Sequence, residues 1–182
     1  RYKMMMNVFA LLSFFLVAYS KTNEAVSSLD VNKYLGKWYQ VYGDNFDRLF
    51  QGKGRCVYAD YKLVDDNLIS VYNSQIDKDN SEDSITGYAY YKKGDCCGYL
   101  TVKLEDNPEA PYWVLSLGPV VNNFYDYSIV SDDKGISLFV LTRNVDRFFN
   151  EYDDQVMESL TNFGFTGSLN SPIKTNQTDC NI

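Results

Sequence analysis

The chain has 182 residues, 45% of them hydrophobic and 16% aromatic, with 16 tyrosines, no histidine and a net charge of −7. That length is one domain's worth, and the aromatic share leans toward strands. An acidic chain without basic runs is a poor partner for nucleic acid or anionic membrane, and the missing histidine removes Ser-His-Asp and Cys-His catalysis, His-ligated zinc and His-held haem.

In chain order, "MMMNVFALLSFFLVAYS" is apolar from Val8 to Tyr19 and ends in a small-x-small pattern, with Arg1 and Lys3 ahead of it. Residues 1–20 read as a secretory signal peptide cleaved between Ser20 and Lys21, with residues 1–3 as an upstream extension. The apolar run is about 12 residues against the roughly 20 a spanning helix needs, so no integral membrane span is expected. Residues 21–182 are then one secreted, extracellular domain. Losing Arg1 and Lys3 and no acid moves its charge from −7 to −9.

From Gly36 onward short strands alternate with turn signals. The candidates are "GKWYQVYGD", "GRCVYADYKL", "LISVYNSQI", "SITGYAYY", "YLTVKL", "YWVLSLG", "FYDYSIV" and "ISLFVLTRN". Strands at such spacing with hairpin-length loops predict an antiparallel barrel or sandwich. After Asn144 the period changes. "NEYDDQVMESLTNFGF" places Tyr152, Val156, Ser159, Leu160 and Phe163 on one helical stripe, with acids at its start and Gly164 at its end.

Four cysteines in a secreted chain can pair. Adjacent Cys96 and Cys97 strain if bonded to each other, whereas Cys56 and Cys180 can bond only if the tail folds back. Asn176 in "NQT" is a glycosylation acceptor tripeptide. The acidic pairs Asp65-Asp66, Asp132-Asp133 and Asp153-Asp154 point apart and read as turns and a helix start. "DKDNSED" lacks the spacing of a calcium loop. No metal, cofactor or catalytic set is expected.

"LDVNKYLGKWYQV", "YDYSIV" and "LFVLTRN" occur in the order and spacing of the three lipocalin signatures, and the chain resembles that family over about residues 29 to 180. The wording of "GRCVYADYKL" and "APYWVL" is similar to its apolipoprotein D and bacterial lipocalin (Blc-like) branch. Tyr125 departs from the threonine usual in the second signature. The resemblance implies an all-β fold: an eight-stranded antiparallel up-and-down β-barrel with an N-terminal 3₁₀ turn and one C-terminal α-helix. It implies structural roles for Gly36, Trp38, Asp126, Tyr127 and Arg143, with Arg143 stacked on Trp38 at the closed end. It also implies a Cys56–Cys180 disulfide.

A barrel of eight strands can hold one small ligand, and parity selects the inward side chains. Charges at Asp60 and Lys62 turn Val57, Ala59, Tyr61 and Leu63 inward. The resemblance selects Ile69, Val71 and Asn73. Ile85 and Ala89 follow, then Leu100, Val102 and Leu104. Both faces of "YWVLSLG" compete, and the family pattern favours Tyr112 and Val114. Tyr127 and Ile129 oppose Asp126 and Ser128, and Phe139 and Leu141 complete the lining. The resemblance thus implies a secreted binder and transporter of a small hydrophobic ligand of fatty acid, sterol, retinoid or bilin type. The inward set carries no Arg or Lys, which favours neutral or amphipathic molecules. Two alternatives remain: a role through protein–protein contacts of the open-end loops, as with a cell-surface receptor, and a thiol-dependent isomerase.

Overall fold

The computed structural model describes residues 23–45 and 54–180; the expected signal peptide and its cleavage site lie outside them. The first element, α1 (Val31–Tyr34), is capped by Asp30, whose carboxylate accepts from the Asn32 amide at 3.1 Å. Here the expected 3₁₀ turn is a single α-helical turn, because the Leu35 amide donates back four residues to the Val31 carbonyl at 3.1 Å. Gly36 then adopts φ +91°, a left-handed conformation that favours glycine. That bend aims the chain into the first strand.

The strands follow in order: β1 (Gly36–Gly43), β2 (Arg55–Asp65), β3 (Leu68–Ile76), β4 (Glu82–Tyr90), β5 (Tyr99–Leu104), β6 (Ala110–Leu117), the short ladder of β7 (Val120–Val121) with β8 (Phe124–Tyr125), β9 (Tyr127–Ser131) and β10 (Leu138–Thr142). Leaving out β7 and β8, each of these strands pairs antiparallel with the next, and β10 returns to β1 at Tyr39↔Thr142 and Gln40↔Leu141. The result is a closed eight-stranded antiparallel barrel. The segment "FYDYSIV", expected as one strand, is divided. Phe124 and Tyr125 belong to the β7–β8 ladder, and the barrel strand starts at Tyr127.

The helix also starts earlier than its acidic stretch implies. Asn144 caps it, its side chain accepting from the Arg147 amide at 2.9 Å, and the helix runs through Val145–Arg147, a π-helical Phe148–Tyr152 and Asp153–Phe163, together α2. The wide π turn places Phe148 and Tyr152 on the barrel face shared by Val156 and Leu160, all buried. Gly164 at φ +89° ends it. The Phe165 amide reaches the Leu160 carbonyl and the Gly164 amide reaches Thr161, the Schellman pattern, with Phe165 buried. Two apolar clusters result. One lies between α2 and the barrel wall and the other inside the barrel.

The tail completes the wall. β1 pairs with β2 only from Gly36 to Tyr39. Past that point β11 (Ile173–Lys174) takes over the edge of β1, and the Thr175 amide donates to the Val41 carbonyl. Gln177 Nε2 donates to the carbonyls of both Gln40 and Val57, spanning the gap between the strands. The Cys56 amide donates to the Asn176 carbonyl at 2.8 Å, and Cys56 and Cys180 are joined by a disulfide across 124 residues of chain. The Asn176 side chain is exposed beside this seam. A crosslink closing so long a loop contributes about 2–5 kcal/mol on the chain-entropy model. Cys180→Ser is therefore expected to lower unfolding free energy by about that amount in urea titrations and to expose the Thr175 amide to hydrogen exchange. An unchanged midpoint would show that the tail's hydrogen bonds alone hold the seam.

Candidate functional site

Trp38 is fully buried where α1 enters the barrel. The Arg143 guanidinium lies over its ring at 3.6 Å. That guanidinium donates to the carbonyls of Lys37 (2.6 Å), Leu35 (2.7 Å), Tyr34 (3.1 Å), Lys33 and Tyr125 (both 3.3 Å). The Trp38 indole adds a bond to the Tyr34 carbonyl at 2.7 Å. Burial brings the Arg143 pKa down to about 10, against the pull of the Tyr34 and Tyr61 hydroxyls and Asp126. It therefore stays charged at neutral pH. Asp126 anchors the neighbouring corner. Its carboxylate takes Arg147 at two points, 2.5 and 2.6 Å, and its carbonyl accepts from the Arg143 amide. Tyr125, the departure from the second signature, offers its hydroxyl to the Asp30 amide at 3.2 Å.

Above this plug the barrel encloses a cavity of about 280 Å³. Val57, Ala59 and Tyr61 line it from β2, and Ile69, Val71 and Asn73 from β3. Ala89 comes from β4, Leu100, Val102 and Leu104 from β5, Tyr112 from β6, and Phe139 and Leu141 from β10. Ile69, Val71, Asn73 and Tyr112 are the inward residues that the resemblance selects, and the others lie on the faces that parity turns inward.

Other expected lining residues lie elsewhere. Leu63 is 46% exposed near the β2–β3 turn, where the β2 register shifts after it. Ile85 is half-buried on β4 and does not line the cavity. Val114 is fully buried in the inner cluster but packed away from the cavity; its backbone is bonded to both Val26 and Gly98. Tyr127 and Ile129 are corrections of parity: both pack outward under α2, while Val130 lines the cavity. The reason is that β9 is buried on both faces. The polar Ser128 is the inward residue because its hydroxyl meets that of Tyr34 at 3.0 Å. A bulge at Leu115, between Val114 and Ser116, lets β6 face the same strand with changed phase.

The sequence reading missed Tyr34. It ends the single turn of α1, and only the bend at Gly36 brings its ring onto the Trp38 indole of β1, centroids 5.1 Å apart, so no spacing rule in the sequence marks the contact. Its hydroxyl lies 2.8 Å from that of Tyr112, which lies 3.1 Å from that of Tyr61. Ser128, Tyr34, Tyr112 and Tyr61 thus form a chain of four hydroxyls with three links. The four hydroxyls carry four protons for three links, so the chain leaves one proton over. Burial pushes the Tyr34 pKa up to about 12 and raises Tyr61 and Tyr112 as well, so all three are neutral. Asn73 Oδ1 is buried without a hydrogen-bond partner among the described residues.

The lining contains no Lys or Arg among the described residues and one carboxylate, Asp132. Burial would raise that acid, but bonds from Ser137 and the amides of Lys134 and Ile136 outweigh it and hold it below its usual range. The carboxylate is therefore anionic and already engaged. Among the described residues no group of three His, Cys, Asp or Glu is placed to hold a metal, and no helix is long and apolar enough to cross a membrane.

These features define a closed meander barrel, plugged at one end and hollow inside. A family model described as a lipocalin-like domain matches residues 29–172, and the chain belongs to that family. Its sequence is similar to apolipoprotein D of Bos taurus, 34% identical over 104 residues, which is 57% of this chain and 51% of that protein. It is also similar to the outer membrane lipoprotein Blc of Vibrio cholerae, 33% identical over 119 residues, 65% of this chain and 67% of that one. The chain spans about half the length of the apolipoprotein D relatives it matches. Lobster apocrustacyanin A1 shares the fold, with a TM-score of 0.59 at 18% identity over 87% of this chain and 91% of that one.

Arg143→Ala removes the donor that gathers five part-buried carbonyls, of which the Trp38 indole also reaches that of Tyr34. It is expected to cost about 2–4 kcal/mol in denaturant unfolding while leaving ligand affinity within about twofold, since the guanidinium lies outside the cavity lining. Lost affinity at an unchanged melting temperature would place Arg143 in the binding site instead.

Proposed function

We propose that this lipocalin is a secreted carrier that binds one small hydrophobic molecule inside the barrel. The observation that carries this reading is the cavity itself: apolar walls, a neutral hydroxyl floor, and an orphaned acceptor at Asn73. A buried acceptor left unpaired costs about 1–3 kcal/mol. A ligand hydroxyl or amide would recover that loss.

The ligand class follows from charge. An ionised carboxylate entering the barrel would lose its hydration, find no cation among the described lining residues, and share the space with anionic Asp132. A neutral isoprenoid or sterol alcohol, or a fatty alcohol or amide, meets both the tyrosine hydroxyls of the floor and the Asn73 acceptor. At about 280 Å³ the cavity sits just below the usual range of roughly 300–1,000 Å³, which favours compact or slender ligands over tetrapyrroles. The hollow interior also weighs against action through the open-end loops alone, which needs no cavity. Catalysis has little to work with here, since the chain has no histidine and the cavity tyrosines hold their protons.

Matched alcohol and acid pairs, retinol with retinoic acid and a fatty alcohol with its fatty acid, test this by Trp and Tyr fluorescence quenching and thermal shift. Each alcohol is expected to bind at least about tenfold tighter than its acid at pH 7, a difference of about 1.4 kcal/mol. Asn73→Leu should reduce that preference. If neither member of any pair raises the melting temperature, the carrier reading fails and the protein-contact reading takes its place, because a ligand bound only to the native state must stabilise it.

A further inference from the structure

The signatures and the cavity leave one chemical feature unused. Cys96 and Cys97 are free, in the loop between β4 and β5. Cys96 is exposed and Cys97 half-buried, and the Cys97 thiol donates to the Cys96 sulfur at 2.7 Å. The loop holds them in this arrangement. Cys97 has φ +67°, unusual for a side-chain-bearing residue, and its carbonyl accepts from the Tyr91 hydroxyl at 3.0 Å. The Tyr99 amide donates to the Cys96 carbonyl, closing a turn around the pair. Next door, the Gly98 amide donates to Val26 and its carbonyl accepts from Val114, which fixes the turn to the barrel. The two sulfurs are thus held together by backbone that has independent anchors on both sides.

We propose that Cys96 and Cys97 form a redox-labile vicinal dithiol that exchanges with low-molecular-weight disulfides and closes to a Cys96–Cys97 disulfide. Cys96 is the attacking residue, being exposed and already accepting the Cys97 proton. Its thiolate attacks one sulfur of the small disulfide. That S–S bond breaks, a mixed disulfide forms on Cys96, and the first small thiolate leaves and takes up a proton. Cys97, whose own pKa is raised by sharing its proton with Cys96, then gives up that proton and attacks the Cys96 sulfur. The second small thiol is released. Two protein thiols are oxidised, and one small disulfide is reduced to two thiols.

The product is labile for a geometric reason. Neighbouring Cα atoms lie about 3.8 Å apart across a trans peptide, below the roughly 4.4–6.8 Å usual for a disulfide. Strained and exposed disulfides have the more oxidising potentials and are the ones that open first. Cys56–Cys180 is the opposite case, with Cys56 fully buried and its Cα atoms at 5.5 Å. The chain therefore carries one structural disulfide and one exchangeable pair.

Folded protein equilibrated in glutathione and glutathione disulfide at stepped ratios, then alkylated and peptide-mapped, tests this. The peptide carrying Cys96 and Cys97 should pass from doubly alkylated to unalkylated with loss of two hydrogens. Opening Cys56–Cys180 should need a buffer at least about tenfold more reducing. Cys97→Ser should stop at a single glutathione adduct on Cys96, an adduct the native pair does not retain. Two thiols that stay alkylatable in the oxidising buffers, stable adducts on the native pair, or links between molecules would each overturn the proposal.

Discussion

The structure depends on one half-buried cation. Arg143 ends the last barrel strand, and its guanidinium reaches the carbonyls that α1 and the start of β1 leave open. A helix of a single turn cannot satisfy its own carbonyls, so without this donor fork the entry segment has no reason to lie across the barrel mouth. The ring of Trp38 fills the space beneath, and the charge over its face is met by the backbone carbonyls, with Asp126 and Asp60 acting at longer range. Gly36 makes the approach possible. A Cβ there would stand 3.5 Å from Arg143 Nη1, ordinary contact, so it is the positive φ and not crowding that calls for glycine.

Closing one end leaves the wall itself to be completed. β1 and β2 part company after Tyr39 because β2 begins with a register shift between Arg55 and Tyr58. An open seam there would expose unpaired amides beside an apolar cavity. The tail answers with β11, the two carbonyl bonds of Gln177, and the Asn176 bond to Cys56. The disulfide holds these weak contacts in place, and Lys174 adds a cation over the ring of Phe149 on α2 at 3.6 Å. The helix, the tail and the wall are therefore one mechanical unit around the cavity.

Much of this was legible in the sequence, and the exceptions share a cause. Strand order, the late helix and the closed-end pair were carried by "GKW", "YDYSIV" and "LFVLTRN", where pattern and turn residues agree. Parity placed Val57, Ala59 and Tyr61 on β2, whose two faces differ in polarity, and ran out at Leu63, past which the strand's register shifts. It failed at Tyr127 and Ile129, because β9 is buried on both sides and a serine can face the interior when a tyrosine hydroxyl meets it. Bulges escaped as well, since one extra residue in β6 leaves no trace in composition. Gln177 lay in a tail that reads as polar and unstructured; its role exists only once two distant strands present their carbonyls to it.

Tyr34 shows why the plug and the pocket cannot be varied separately. Its carbonyl accepts from both the Trp38 indole and Arg143, which makes it part of the closed end. Its hydroxyl links Ser128 to Tyr112 and thereby sets the floor of the cavity. A change that tilts α1 would move both at once. Breaking the carbonyl bonds would loosen the stack, and turning the ring would break the hydroxyl chain at the cavity floor. The architectural signature at the start of the chain is thus also what fixes the polarity of the binding site, because one side chain spans the boundary between them.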